Sequence, residues 1–200
     1  MDNFIPWLPN DDLLRVFDWR EVFGNERPVE VDLGAGDGGF VLAQATRRPE
    51  INYVAVERLL GRARKIAKRA VREERTNLRV LRLESFYFLR WMCPPASLQT
   101  IHIMFPDPWP KRKHFARRLI QPDFIETARR ALVADGAVKF TTDHTDYFEW
   151  TRRLWNGASG WKALGAWDAE EEPRSDFQKT FDSEGRATCR AAWQKEADAP

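Results

Sequence analysis

Cysteine is almost missing from this 200-residue chain: Cys93 and Cys189 are the only two, too few for a disulfide framework or a cysteine-built metal cluster. That scarcity fits a reducing cytoplasm, and both thiols are expected to be buried or incidental. Histidine is equally sparse. His102, His114 and His144 stand apart without ligand spacing, so no metal is expected. No apolar run approaches the roughly 20 residues that cross a bilayer. The first residues carry Asp2, Asp11 and Asp12 in place of a basic segment and an apolar run, so neither membrane anchor nor signal peptide is expected. Internal repeats and low-complexity segments are also lacking, and nothing suggests a repeat architecture.

What is present is 43% apolar residues, enough for one substantial core and cramped for two. The formal charge of +2 conceals a separation along the chain. Residues 58–82 carry ten Arg or Lys and two acids, whereas Asp168 to Glu184 holds seven acids against Arg174 and Lys179. The basic stretch points to a polyanionic partner; the acidic run Asp168 to Glu172 reads as a loop unsuited to one.

Short apolar strands alternate with helical spacing. Strands are expected at Pro28–Leu33, Asn52–Val56, Leu78–Leu83, Thr100–Phe105 and Ala137–Thr141. Helices fall from about Gly39, through Val71, near Phe86–Trp91, over Pro122–Leu132 and over Thr145–Trp155. Repeated β-α units imply an α/β fold with a mostly parallel, doubly wound sheet and helices on both faces. Trp161–Trp167 and Ala187–Trp193 read as closing strands around a polar loop, one of them antiparallel. Asp11–Phe23 has helical spacing and is expected to cover a sheet edge. Residues 1–27 are therefore read as an extension with a helix, 28–195 as one domain and 196–200 as a frayed tail. Most of the nine tryptophans, among them Trp91, Trp155 and Trp193, are expected in core or edge packing.

Directly after the first strand stands Val31-Asp32-Leu33-Gly34-Ala35-Gly36-Asp37-Gly38-Gly39. Gly34, Gly36 and Gly39 satisfy G-x-G-x-x-G, a turn over which a ligand can approach bare backbone. A nicotinamide or flavin cofactor would seat its pyrophosphate there, so the neighbouring acids must decide. A carboxylate at Asp32 would repel a pyrophosphate but meet the ammonium of S-adenosylmethionine, or through water its sulfonium. Glu57, closing the second strand, can accept both ribose hydroxyls of either cofactor. Glu84, after the third strand, either contacts the adenine region or caps the following helix.

The densest constellation is Phe105-Pro106-Asp107-Pro108-Trp109-Pro110-Lys111-Arg112-Lys113-His114, at the carboxyl end of the fourth strand, where open α/β sheets bind ligands. Its prolines should hold Asp107 on a stiff extended loop. Trp109 offers a stacking face, and Lys111, Arg112, Lys113, Arg117 and Arg118 can meet phosphates. In the preceding basic stretch, Leu59, Ala63, Ile66, Ala67, Ala70 and Val71 share one helical face and Arg62, Lys65, Lys68, Arg69 and Arg72 lie largely on the other.

Phe105-Pro106-Asp107-Pro108-Trp109-Pro110-Lys111, followed by His114 and Arg117-Arg118-Leu119, resembles the signature of the tRNA (guanine-N7)-methyltransferases. The resemblance extends to Asp18-Trp19-Arg20-Glu21-Val22-Phe23-Gly24-Asn25, to the glycine-rich turn, and to Thr142-Asp143 with Tyr147, covering roughly residues 18–155. It implies a Rossmann-like class I methyltransferase using S-adenosylmethionine on tRNA, with a variable-loop guanine as the usual target. By this resemblance Asp32, Gly34, Gly36, Glu57, Glu84 and Asp107 line the cofactor site, Asp107 is the catalytic carboxylate, and Lys111 and Asp143 bind RNA. Family members usually carry Glu at the position of Asp32 and a shorter acid or amide near Glu84. The family's Thr-x-Phe-Glu motif is matched only by Lys179-Thr180-Phe181-Asp182-Ser183-Glu184-Gly185-Arg186. There the threonine is displaced by one, Asp replaces Glu, and Glu184 stands where a base is expected. Thr180 and Asp182 are its candidate substrate contacts. That departure motivates one alternative, a methyltransferase acting on another nucleic acid or a small molecule; an alternative of a different class is an RNA-binding member that keeps the fold without turnover.

Overall fold

The runs Val29–Leu33 (β1) and Asn52–Val56 (β2) are buried at every position, as strands lying between two helical layers must be. The structure is a computed structural model that describes residues 6–8, 12, 15–166 and 173–197, with Asp176 as backbone only. β3 (Leu78–Leu81), β4 (Leu98–Met104), β5 (Leu132–Thr142), β6 (Trp161–Gly165) and β7 (Cys189–Lys195) join them in one sheet ordered β3-β2-β1-β4-β5-β7-β6. The pairs among β1 to β5 are parallel, and β7 runs antiparallel to both β5 and β6. β1 lies between β2 and β4, so the connections leaving β1 and β4 part in opposite directions. That reversal opens a crevice at their carboxyl ends.

The helices are α1 (Trp19–Phe23), α2 (Gly39–Arg47), α3 (Leu60–Arg72), α4 (Ser85–Tyr87), α5 (Pro122–Ala131), α6 (Thr145–Asn156) and α7 (Asp176–Ser183). A π-helical turn, Phe88–Met92, continues α4, and a 3₁₀ turn covers Arg112–Arg117. α3 buries Ala63, Ile66, Ala67 and Ala70 and leaves its cations outward, as its spacing predicts. Two apolar clusters form, one joining α2 and α3 to β2 and β3, the other on the opposite face around Phe88, Phe124, Phe140 and Trp155. There Trp155 stacks on Trp193 at 4.8 Å.

Four expectations change. Of the segment Asp11–Phe23, only Trp19–Phe23 is helical among the described residues, because the Asp18 carboxylate caps its start by accepting from the Arg20 and Glu21 amides. The β3 edge is covered instead by extended chain: Leu8 donates to Val80, and Val80 to Pro6. The expected polar loop in the last third contains α7, while Trp167 and Asp168–Glu172 lie outside the described residues. Trp91 is 51% exposed rather than packed. Cys93 is buried and Cys189 half-buried. Among the described residues no helix is long and apolar enough to cross a membrane, and no three His, Cys, Asp or Glu side chains gather to hold a metal.

Candidate active site

The turn after β1 is drawn down onto β2. Gly34 and Ala35 amides donate to the Val56 carbonyl at 2.9 and 3.0 Å. Gly34, Gly36 and Gly38 all adopt positive φ, a region that L side chains avoid. Gly38 has a further constraint, since a Cβ there would stand 2.7 Å from Ile66 Cγ1 of α3. The third glycine the turn requires is therefore Gly38, while Gly39 simply begins α2. Glu57 clamps the same turn: one carboxylate oxygen accepts from Gly36 N at 2.9 Å and the other from Leu59 N at 2.7 Å. Each oxygen keeps a second lone pair for a ligand hydroxyl.

Asp32 is 2% exposed at the floor of this turn, and its Oδ1 has no hydrogen-bond partner. Burial pushes its carboxyl up to about 7, opposed by His102 and reinforced by Glu57. A buried carboxylate with an unpaired oxygen is costly and invites a cation.

From here a cleft of about 590 Å³ opens between the carboxyl ends of β1, β2 and β4. Glu57, Glu84, Met104, Asp107, Trp109 and Phe177 are among its walls. Glu84 takes the capping role: its two oxygens accept from the Phe86 and Tyr87 amides at the start of α4 at 3.0 and 2.8 Å, while the residue also lines the cleft. Asp107 is exposed at the rim. Its loop is bracketed by Phe105 and Trp109, both non-glycine residues at positive φ, a strain that surrounding contacts must hold in place.

Arg118 is one source of that hold, and it departs from the phosphate-binding role read from the sequence. Its side chain is buried, with Nε donating to the Pro108 carbonyl at 2.9 Å. Its guanidinium lies 3.8 Å from the Phe115 ring centre, 4.8 Å from Tyr147 and 5.4 Å from Trp150. Arg118→Ala would free the Pro108 carbonyl and open a void behind the loop. Loss of roughly 2–4 kcal/mol in stability is expected, checked by denaturant unfolding.

Lys111 is exposed at the foot of the 3₁₀ turn. Arg117 lies over Trp109 at 5.0 Å and His114 meets the same ring edge-on at 5.7 Å, so Trp109 presents an aromatic surface among cations. Asp143 follows β5 and is ion-paired with Arg186. Thr180 and Asp182 lie exposed on α7, with Asp182 paired to Arg174 at 3.0 Å, and neither lines the cleft. Phe177 is the α7 side chain that does, 3.6 Å from the position a Cβ on Gly36 would take.

A family model described as "Putative methyltransferase" matches residues 26–191. The chain belongs to this methyltransferase family. A tRNA (guanine-N(7)-)-methyltransferase from Streptococcus uberis is 29% identical over 177 residues, covering 86% of this chain and 83% of the relative. The protein of the same name from Streptococcus pyogenes serotype M1 matches with the same identity and coverage. Among solved structures, the 16S rRNA methyltransferase KamB superposes with TM-score 0.68 at 16% identity, covering 92% of this chain and 95% of that one. The antibiotic-resistance methyltransferase Kmr gives 0.63 at 17% identity, with 90% and 92% coverage. Both share the fold.

Within this methyltransferase the structure brings Asp32, Gly34, Gly36, Glu57, Glu84 and Asp107 to one continuous crevice and leaves Lys111, Asp143, Thr180 and Asp182 outside it. Sequence reasoning overlooked Phe177 and the burial of Arg118. The four-residue spacing of Phe177 and Phe181 in a polar segment was the available sign of an amphipathic helix.

Proposed function

We propose that the protein transfers the methyl group of S-adenosylmethionine to N7 of a guanine in tRNA, a variable-loop guanine by the family resemblance. The observation that carries this reading is the exposed carboxylate of Asp107 at the rim of a cleft that shares Gly34, Met104 and Phe177 with the small pocket lined by Asp32, whose Oδ1 has no partner. The relatives named tRNA (guanine-N(7)-)-methyltransferase supply the substrate class. The residues fit the donor: unpaired Asp32 Oδ1 suits its ammonium, Glu57 its ribose hydroxyls, and Glu84 and Ser85 its adenine region. When bound, that group supplies an electrophilic methyl on a sulfonium.

Guanine N7 carries an in-plane lone pair, so no base is needed to activate it. The protein's task is to orient the base in line and to stabilise the positive charge arriving on the purine. Asp107 can accept from the guanine N1 and N2 hydrogens while facing that charge. Trp109 offers a stacking partner for a base drawn out of folded RNA, and Lys111 and Asp143 would meet the substrate beside it. Residues 28–195 would form the catalytic domain behind the 1–27 extension, working in the cytoplasm where tRNA is modified. Incubation with labelled S-adenosylmethionine and bulk tRNA, followed by nucleoside mapping, tests the reading: label is expected in 7-methylguanosine. Label in another nucleic acid, or none in RNA, would reject it.

The cations of α3, and Arg58 just before it, are not equally available to phosphate. Arg62 and Lys65 pair with Asp37, and Arg69 and Arg72 with Glu73, whereas Arg58, Arg64 and Lys68 are exposed outside these ion pairs. Replacing these three with alanine should reduce the slope of log affinity against log salt by about 2 in tRNA titrations. An unchanged slope would place RNA elsewhere.

A further inference from the structure

The two halves of the donor site are not equally open. The cleft beside Glu57 and Glu84, where a nucleoside would lie, offers about 590 Å³. The adjoining pocket at Asp32 offers about 20 Å³, room for about one water molecule. The amino-acid end of S-adenosylmethionine brings an ammonium, a carboxylate and the carbons that join them to the sulfonium, far more than such a space admits. Asp32 is buried and its Oδ1 is unpaired, so the oxygen that suits the ammonium is also the one hardest to reach.

What narrows the pocket is α7. Ser175 and Phe177 are among its walls, and Phe177 also lines the larger cleft. The Phe177 ring rests against Gly36, with Cε2 3.6 Å from where a Cβ on that glycine would stand. It therefore covers the bare backbone over which a ligand approaches this turn. The sequence places it there by ordinary means. Ser175 caps the helix by accepting from Gln178 N at 3.1 Å, and Phe177 and Phe181, four residues apart, share one face.

The contacts that hold this position lie at the surface. Phe181 meets Phe105 edge-on at 5.2 Å and stacks on Phe177 at 6.2 Å. The Arg186 guanidinium lies 4.1 Å from the Phe181 ring centre and pairs with Asp143, and that of Arg62 lies 5.7 Å from the Phe177 ring centre. Phe177 is itself 42% exposed. Cation–aromatic contacts and ion pairs open to water are individually weak, so a modest competing interaction releases this latch. Asp32 supplies the competition. With α7 in place its oxygen is unsatisfied, whereas an ammonium beside it forms a charge-assisted hydrogen bond.

We propose that α7 is a plug on the amino-acid half of the donor site: Phe177 occupies the approach to Asp32 and must withdraw from Gly36 before S-adenosylmethionine can seat its ammonium. This rests on the cofactor reading above. The nucleoside half stays accessible with the plug in place, so ligands that share the adenosine moiety are treated differently according to whether they carry the amino-acid end. The apparent affinity for the whole donor is its intrinsic affinity reduced by the fraction of molecules in which α7 has withdrawn.

Calorimetric titration with two probes tests this: S-adenosylmethionine, and methylthioadenosine, which keeps the nucleoside and a thioether but lacks the amino-acid end. Phe177→Ala should bind S-adenosylmethionine about tenfold tighter than wild type and methylthioadenosine within about twofold of it. Arg186→Ala loosens the latch without altering a wall of either pocket, and should tighten S-adenosylmethionine binding about threefold with methylthioadenosine unchanged. Hydrogen exchange in wild type gives a readout apart from affinity: the α7 amides of residues 178–182 should exchange faster with saturating S-adenosylmethionine and at the same rate with methylthioadenosine. Protection of those amides by S-adenosylmethionine, or S-adenosylmethionine binding that neither variant tightens, would overturn the plug and make Phe177 a wall of the occupied site. If wild type and both variants bind neither probe, the cofactor reading itself fails; methylthioadenosine bound throughout, with no gain for S-adenosylmethionine in either variant, rejects the plug alone.

Discussion

Replacing Asp107 with alanine should lower kcat for methyl transfer by about 10³-fold while changing KM for tRNA little. The asymmetry follows from where the residue stands. Lys111, Arg112, Lys113 and Arg117, on and beside the 3₁₀ turn, are exposed and remain to meet phosphates, so encounter and gross binding survive. What alanine removes is a negative charge at the cleft rim, toward which the purine becomes cationic only as the methyl arrives. An interaction that strengthens in the transition state appears in kcat. Asp107→Asn should lose less, about 10²-fold, because the amide oxygen still accepts one guanine hydrogen but brings no charge. Single-turnover transfer from labelled donor to saturating tRNA separates the chemical step from product release. Near-normal transfer by the alanine variant would remove Asp107 from the chemistry.

The loop that carries Asp107 was legible because its proline spacing is a statement about backbone. Pro106, Pro108 and Pro110 constrain φ wherever the fold places them, and the strand before them announces its own end. Left-handed Phe105 and Trp109 were not legible, since neither residue type favours that region and only the packed surroundings enforce it. Arg118 shows the same limit from the side of charge. In the sequence it is one of five cations suited to phosphate, and what distinguishes it is an aromatic cage assembled from Phe115, Tyr147 and Trp150, two of them some thirty residues away. The parallel sheet was read from near-continuous apolar runs, whose burial on both faces leaves little choice of structure. α7 was missed because its polar sequence buries little surface against its neighbours, and of the helix expected over Asp11–Phe23 the described residues show only Trp19–Phe23, capped by Asp18.

Asp32 ties stability to function with opposite signs. In the unfolded chain its carboxyl ionises near the ordinary 3.8, while in the fold burial pushes it up to about 7. Between those values the folded state holds a proton that the unfolded state has released, so folding stability falls as pH rises through this window and levels off above it. The group's stabilising proton is fully present below the lower value and lost by the upper one. Asp32→Asn removes the titration and is isosteric, so the variant without donor should be more stable than wild type by on the order of 2–4 kcal/mol at about pH 8. That advantage should shrink steadily on acidification and vanish near pH 3–4, about where the unfolded carboxyl protonates. Donor binding should move the other way, weakening by about 10²-fold because the ammonium loses its buried counter-charge. Denaturant midpoints measured across pH, with and without S-adenosylmethionine, test both halves. Added donor should stabilise wild type more than the variant, and a variant less stable than wild type at about pH 8 without donor would show that Asp32 is not the burdened group its burial indicates.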